Sequence, residues 1–326
     1  MVAPIPPVAH FVWFGRSFPW LNWLAVRSAA DRGGYERVLL HHQDDLSGVP
    51  HFQRLARDPR IECIRLDFQE LLQSVAPIAP GILELAEFVS DSSRNNMKSD
   101  LARFALLWRY GGVYLDMDTV SLASLDDLRA AGGIFCGAER LVWPKVVRDS
   151  RNPLVLGLAA ARSMGRDLLR RHPHGWRHFR RIEWFYPVAP NPAVLGAVQG
   201  HPLLAQLLQR SALVSRRQLD RRREAVGPDL LQEIFSGYCG RDLKILPPDV
   251  FYPLGPEISE HWFRLHPVDK APPLAEVLGP DTRVVHWYAS VRTRQIVPEF
   301  DASYVRANRT RQLLSALSST WANPKT

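Results

Sequence analysis

Cysteine is scarce in this 326-residue chain. Its three copies, Cys63, Cys136 and Cys239, stand far apart, odd in number and without C-x-x-C spacing. That excludes a disulfide framework or a cysteine-based zinc site and fits a reducing compartment. No apolar run approaches the roughly 20 residues of a membrane span. The first seven residues lack a basic region and the apolar run Val8–Phe14 is short, so nothing directs export and a cytoplasmic location is expected. G-x-G-x-x-G, P-loop and G-x-S-x-G signatures are missing, which weakens dehydrogenase, NTPase and serine-hydrolase readings. Lysine is almost absent as well. Lys98, Lys145, Lys244, Lys270 and Lys325 are the only ones among 41 basic residues.

What is present is a folding core and a basic balance. Hydrophobic residues make up 46% of the chain and include 10 Trp, 14 Phe and 8 Tyr, too much apolar surface for a disordered chain. The net charge of +8 is carried mostly by arginine, clustered at Arg162–Arg181 and at Arg216, Arg217, Arg221, Arg222 and Arg223. These clusters read either as solvated helix faces or as a patch for an acidic partner, including peripheral contact with a membrane. No nucleic-acid motif accompanies them, so no nucleic-acid partner is expected. The histidines of HPHGWRH (His172, His174, His178) have no acidic or cysteine companion and read as a solvated loop.

The first hundred residues alternate strands and helices. Strands are expected at Val8–Phe14, Val38–His41 and Ile61–Leu66, with helices at Trp20–Ala30 and Leu46–Arg57. This order implies an α/β fold with parallel strand pairs. No repeat or long linker interrupts the chain. A single domain over residues 1–326 is expected, with a helical insertion at 150–235 and a C-terminal helix and tail at 302–326.

The informative stretch is SDLARFALLWRYGGVYLDMDTV, residues 99–120. Leu101, Ala105 and Trp108 recur at helical spacing, with Ser99 or a preceding Asn as the cap and Gly111–Gly112 as a left-handed stop. Asp100 and Arg103 lie three apart on one helix side. After the glycines the period becomes two: Val113, Leu115 and Met117 face one way, Tyr114, Asp116 and Asp118 the other. Two aligned carboxylates repel unless something cationic sits between them, and an oxygen-preferring divalent ion, Mg²⁺ or Mn²⁺, fits. The competing reading ends the strand at Leu115 and leaves a solvated turn.

The ordered combination S-D-x-x-R-x-x-x-L-x-x-x-G-G-x-Y-x-D-x-D resembles the sugar-nucleotide-binding region of glycosyltransferase family 32. The opening IPPVAHFVWFG, with His10, Trp13 and Gly15, is similar to that family's start. NPAVLGAVQGHPLL resembles its stretch in which an Asn (Asn191) precedes a helix ending in G-H-P (Gly200, His201, Pro202). Gly227–Pro228 looks like its G-P element, and VVHWYAS like its late strand ending in His (His286, Ser290). The family often continues with Trp after that Ser, whereas Val291 follows here, which puts a tryptophan contact to the diphosphate in doubt; Arg292 or Arg294 is a substitute by charge.

The resemblance implies a GT-A nucleotide-diphospho-sugar transferase fold, a mixed central sheet flanked by helices. It implies retaining transfer of a sugar from a nucleotide-diphosphate donor, a UDP-sugar ahead of GDP-mannose, to an acceptor hydroxyl of unknown identity. Asp118 would bind the metal, Asp116 would hold the ribose and reach the metal through water, and His286 would be a late ligand favouring Mn²⁺ over Mg²⁺. Asp100 and Arg103 would recognise the donor sugar, Tyr114 would orient sugar or diphosphate, and Asn191 would lie near the anomeric centre. Ser290 falls in the loop facing the diphosphate. Trp13 either stacks on the base or is plain core. The alternatives are a metal-dependent phosphohydrolase and a basic polyanion-binding protein with an incidental D-x-D.

Overall fold

The computed structural model describes residues 3–91, 94–222, 224–289 and 296–323. Its strands are β1 (Val8–Trp13), β2 (Arg37–His42), β3 (Ile61–Arg65), β4 (Gly112–Leu115), β5 (Thr119–Ser121), β6 (Ile134–Arg140), β7 (Val188–Ala197), β8 (Leu243–Leu246) and β9 (Val284–His286). Seven form one sheet in the order β3-β2-β1-β4-β7-β6-β8, and β5 with β9 form a two-stranded ribbon. β7 runs antiparallel to both neighbours; every other pairing in the large sheet is parallel. The expected architecture, a mixed sheet flanked by helices, is present.

Parallel strands are buried on both faces, and the period of two sorts their side chains between two cores. Ala9, Phe11, Val113 and Leu115 pack on one face with helix Trp20–Arg32. Val12 and Tyr114 pack on the other with helix Asn95–Tyr110. β1 has parallel neighbours on both sides, β2 and β4. The chain reaches these from opposite faces, which opens a crevice beyond the carboxyl ends of β1 and β4.

The Gly-Gly stop is held in three dimensions by a histidine pair. His10 Nε2 lies 3.0 Å from the Gly111 carbonyl, and His10 Nδ1 lies 3.1 Å from His41 Nε2. A carbonyl only accepts, so His10 carries its proton on Nε2, and its bare Nδ1 accepts from His41. Gly111 and Gly112 take φ of 64° and 102°. A Cβ on Gly112 would stand 2.6 Å from the Val8 carbonyl and 3.1 Å from His10 Nε2, so glycine is required there twice over.

Five expectations need correction. The helix before the glycines starts at Asn95, four residues before Ser99, with Arg94 at its cap and no capping side chain. Buried Met97 extends the apolar face by one turn and takes the helix with it. The helix expected at 46–57 spans only Pro50–Ala56, because Pro50 occupies its first turn. Region 150–235 is not a helical insertion: helices Pro153–Arg171 and Gly175–Ile182 lead into β7, an interior strand of the main sheet. Likewise Asn191 precedes no helix but lies in β7; the next helix, Pro202–Ala212, begins at the proline of the G-H-P triplet, with His201 as its cap. Pro190 and Pro192 argue against a central strand by sequence. They are accommodated by a break in the β6–β7 register, where Cys136 faces Leu195 but Gly137 faces Asn191. The C-terminal region forms two short helices, Ala302–Asn308 and Leu313–Ser318, rather than one.

Candidate active site

Asp116 and Asp118 are delivered by a turn, not by the strand itself. β4 ends at Leu115, and β5 begins at Thr119. The turn is nonetheless rigid and turned inward. The Asp116 amide donates to the Ala193 carbonyl at 2.8 Å, and the Thr119 hydroxyl donates to the Asp116 carbonyl at 2.7 Å. Asn22 Nδ2 donates to the Met117 carbonyl at 2.9 Å, while the Met117 side chain is buried in the core.

His286 meets this turn through strand register. β5 and β9 pair antiparallel with Thr119 opposite His286, so a residue far along the chain arrives beside Asp118. His286 Nε2 and Asp118 Oδ1 are 2.8 Å apart, and the Ala289 amide donates to Asp118 Oδ2 at 2.7 Å. One ligand atom from each of Asp116, Asp118 and His286 falls within 4.8 Å of the others. Burial raises the Asp116 carboxyl above its ordinary range, against the pull of Arg103. Burial pushes Asp118 the same way, but His286 and the Ala289 amide override it and leave that carboxyl low. Burial likewise opposes the His286 cation, and Asp118 more than restores it.

Asp100 and Arg103 join the same wall. Arg103 is buried, 3.1 Å from Asp100 Oδ1 and donating to Asp116 Oδ1 at 2.6 Å. Its guanidinium stacks 4.4 Å from the Tyr114 ring centre, so Tyr114 serves as a floor for the cation. The helix i,i+3 pair expected from sequence is therefore the start of an Asp100–Arg103–Asp116 chain. Burial lifts the Asp100 carboxyl to about 7 despite Arg103.

These groups line a cleft of about 680 Å³ beyond the ends of β1 and β4. Trp13 also lines it, half-buried, with Nε1 donating to the Ser17 carbonyl at 2.9 Å and its ring edge-on to Phe18. Trp13 is half-buried against the core, and these contacts fix its ring. Asn191 also lines the cleft; its Oδ1 accepts from the Ala193 amide at 2.7 Å, fixing the irregular part of β7. Ser290, Val291, Arg292 and Arg294 lie outside the described residues.

Two cleft residues escaped the sequence reading. Glu139 is buried on β6, accepts from the Tyr288 hydroxyl at 3.0 Å, and is raised by burial to about 7, with Asn191 and His286 opposing. Its signal was weak: one carboxylate in an apolar strand, IFCGAER, with no visible partner. Asn22 lay inside an apolar helix, and only its bond to the Met117 carbonyl shows that it braces the D-x-D turn.

The donor set fits a divalent cation. Two carboxylates and an imidazole suit Mn²⁺ or a similar ion, and His286 Nδ1 is buried with no hydrogen-bond partner. Among the described residues no other group of three acidic, histidine or cysteine side chains meets that geometry.

Comparison with known proteins agrees over the motif-bearing segment. Residues 26–132 match the family described as "Glycosyltransferase sugar-binding region containing DXD motif". The lactosylceramide 4-alpha-galactosyltransferase of Rattus norvegicus is 38% identical over 76 residues, 23% of this chain and 21% of that protein. The chain thus matches about a fifth of that relative's length. Among solved structures, mouse xyloside xylosyltransferase 1 overlaps with a TM-score of 0.46 at 12% identity, covering 87% of this chain and 98% of that one. The PaToxG glycosyltransferase overlaps with a TM-score of 0.45 at 14% identity, covering 72% and 69%. Overlaps this loose carry no chemistry across.

Proposed function

We propose that this chain, whose residues 26–132 are a glycosyltransferase sugar-binding region of the DXD type, is a GT-A glycosyltransferase. It moves a sugar from a nucleotide-diphosphate donor, a UDP-sugar ahead of GDP-mannose, to an acceptor hydroxyl with retention at the anomeric carbon. The observation that carries this reading is the convergence of Asp100, Arg103, Asp116, Asp118 and His286 in one cleft that Trp13 also lines.

Asp118, Asp116 and His286 would hold Mn²⁺, with Mg²⁺ the alternative; when bound, the ion supplies positive charge to the departing diphosphate. The turn that carries Asp116 and Asp118 is tied to β7, to Asn22 and to the segment after β9. Arg103, pinned between two carboxylates over Tyr114, offers a guanidinium already oriented for sugar hydroxyls, and Asp100 offers the matching acceptor. Trp13 presents a fixed aromatic face for the base. Asn191 and Glu139 border the same cleft from β7 and β6. In retaining transfer the diphosphate oxygen takes the acceptor's proton, so no side chain has to serve as base.

The test is a donor screen with Mn²⁺ that reads nucleotide release from UDP- and GDP-sugars, UDP-galactose first given the local similarity to a galactosyltransferase. Release from a UDP-sugar with an α-linked product is expected. An inverted product by NMR ends the retaining assignment, and phosphate release without sugar transfer ends the transferase assignment in favour of a phosphohydrolase.

A further inference from the structure

Helix Pro153–Arg171 is built inside out. Two of its arginines point to the protein: Arg166 Nη1 donates to Glu257 Oε2 at 2.8 Å, and Arg170 donates to the carbonyls of Glu257 and Pro256 at 2.5 and 2.7 Å. Its solvent face is mostly apolar, with Asp167 half-exposed at one edge. Leu154, Leu158, Met164 and Leu168 recur at steps of four, six and four residues along that face, and Leu154, Met164 and Leu168 are 81%, 71% and 68% exposed. A surface helix ordinarily has the reverse arrangement.

The apolar strip continues on one flank. There the Phe185 ring lies 4.7 Å from the Arg162 guanidinium, and the Tyr186 hydroxyl donates to the Arg162 carbonyl at 3.2 Å. Trp184, 75% exposed, stands edge-on to the Phe185 ring at 5.7 Å. On the inward side of the helix, near Arg170, Trp143 Nε1 donates to Ser163 Oγ at 2.9 Å, and Trp143 lines the active-site cleft. Exposed arginines accompany the strip: Arg151 just before the helix, Arg171 at its end, Arg181 on the next helix.

We propose that this face docks on an anionic membrane surface, with Leu154, Leu158, Met164, Leu168 and Trp184 entering the acyl boundary and the arginines meeting lipid phosphates. Leucine, methionine and tryptophan beside arginine is the composition of helices that lie in a bilayer interface. Charge decides between occupants. A second copy packed on the same face would bring Arg151, Arg171 and Arg181 against their own counterparts, whereas anionic headgroups complement them. The proposal goes beyond glycosyl transfer and stands without it.

The experiment is co-sedimentation of the full chain with vesicles of phosphatidylcholine alone or mixed with phosphatidylglycerol. Binding to the anionic vesicles, weakened by salt and accompanied by a blue shift of tryptophan emission, is expected. Leu154→Glu/Leu168→Glu should lower the partition coefficient by about tenfold or more, since exposed apolar anchors are replaced by charges. Arg171→Glu/Arg181→Glu should weaken binding to the anionic vesicles selectively. Because the four positions are exposed, circular dichroism of the variants should match wild type. Wild type left in the supernatant overturns the proposal. So does binding that survives Leu154→Glu/Leu168→Glu, or a dimer by sedimentation velocity that this variant splits.

Discussion

Gly227 sits directly against the Asp100 carboxylate: a Cβ at Gly227 would fall on the Asp100 oxygens. The residue that opens helix Pro228–Ser236 therefore sets where the donor-facing carboxylate lies. Asp100 is short, buried and paired with Arg103, so it has nowhere to retreat. Gly227→Ala should displace it and lower kcat/KM by about ten- to a hundredfold, the equivalent of one hydrogen bond to a charged group, about 1.5–3 kcal/mol. Steady-state kinetics beside a thermal melt would check this; unchanged kinetics would show that Asp100 is not engaged.

Asp118 is both a ligand candidate and a brace, since it accepts from the Ala289 amide and pairs with His286. Asp118→Ala should abolish nucleotide release, and it should also destabilise the chain by about 3–5 kcal/mol, because it leaves a buried partner uncompensated. Asp118→Asn keeps an acceptor for the Ala289 amide and separates the two effects. Its Tm should stay closer to wild type while Mn²⁺ binding by calorimetry and nucleotide release are lost. Wild-type turnover in either variant removes the assignment. Excess EDTA should likewise stop release, and added Mn²⁺ should restore it more fully than Mg²⁺.

Trp13 tests the nucleotide end of the cleft. Its ring is fixed by the Ser17 carbonyl and by Phe18, so a stacked base would find it already in place. Trp13→Ala should raise the donor KM by roughly ten- to a hundredfold, in line with about 1–3 kcal/mol for base–aromatic stacking. Trp13→Phe should recover much of it. Equal KM values in wild type and Trp13→Ala would return this residue to the core.

The His10–His41 pair predicts acid sensitivity away from the active site. Burial lowers His10 to about 4, against the Gly111 hydrogen bond, and lowers His41 to about 3, from an ordinary value of 6.5. Both are neutral in the folded state at pH 5, whereas the unfolded chain takes up the protons. Stability is therefore complete above pH 6.5 and falls as pH drops from 6.5 toward 4, by up to about 1.4 kcal/mol per pH unit for each histidine. Urea melts between pH 7 and 5 would show the slope. His41→Gln, whose amide still donates to His10 Nδ1, should flatten it; a flat wild-type profile would contradict the burial of neutral rings.

The amino-acid sequence alone determined the local rules: the helix that ends at Gly111–Gly112, the alternation that sends Tyr114 away from Val113 and Leu115, and the residues of the D-x-D turn. These follow from steric and periodic effects within a few residues, so they are legible without the fold. Tertiary structure decided the rest. The β5–β9 register brought His286 to Asp118, and the packing of Gly227 placed Asp100. The break in the β6–β7 ladder let two prolines occupy an interior strand. The inward turn of Arg166 and Arg170 toward Glu257 is what left the leucines of their helix facing out. Each depends on partners distant in the chain, whose pairing is set by the summed burial and hydrogen bonding of the whole sheet rather than by any local preference.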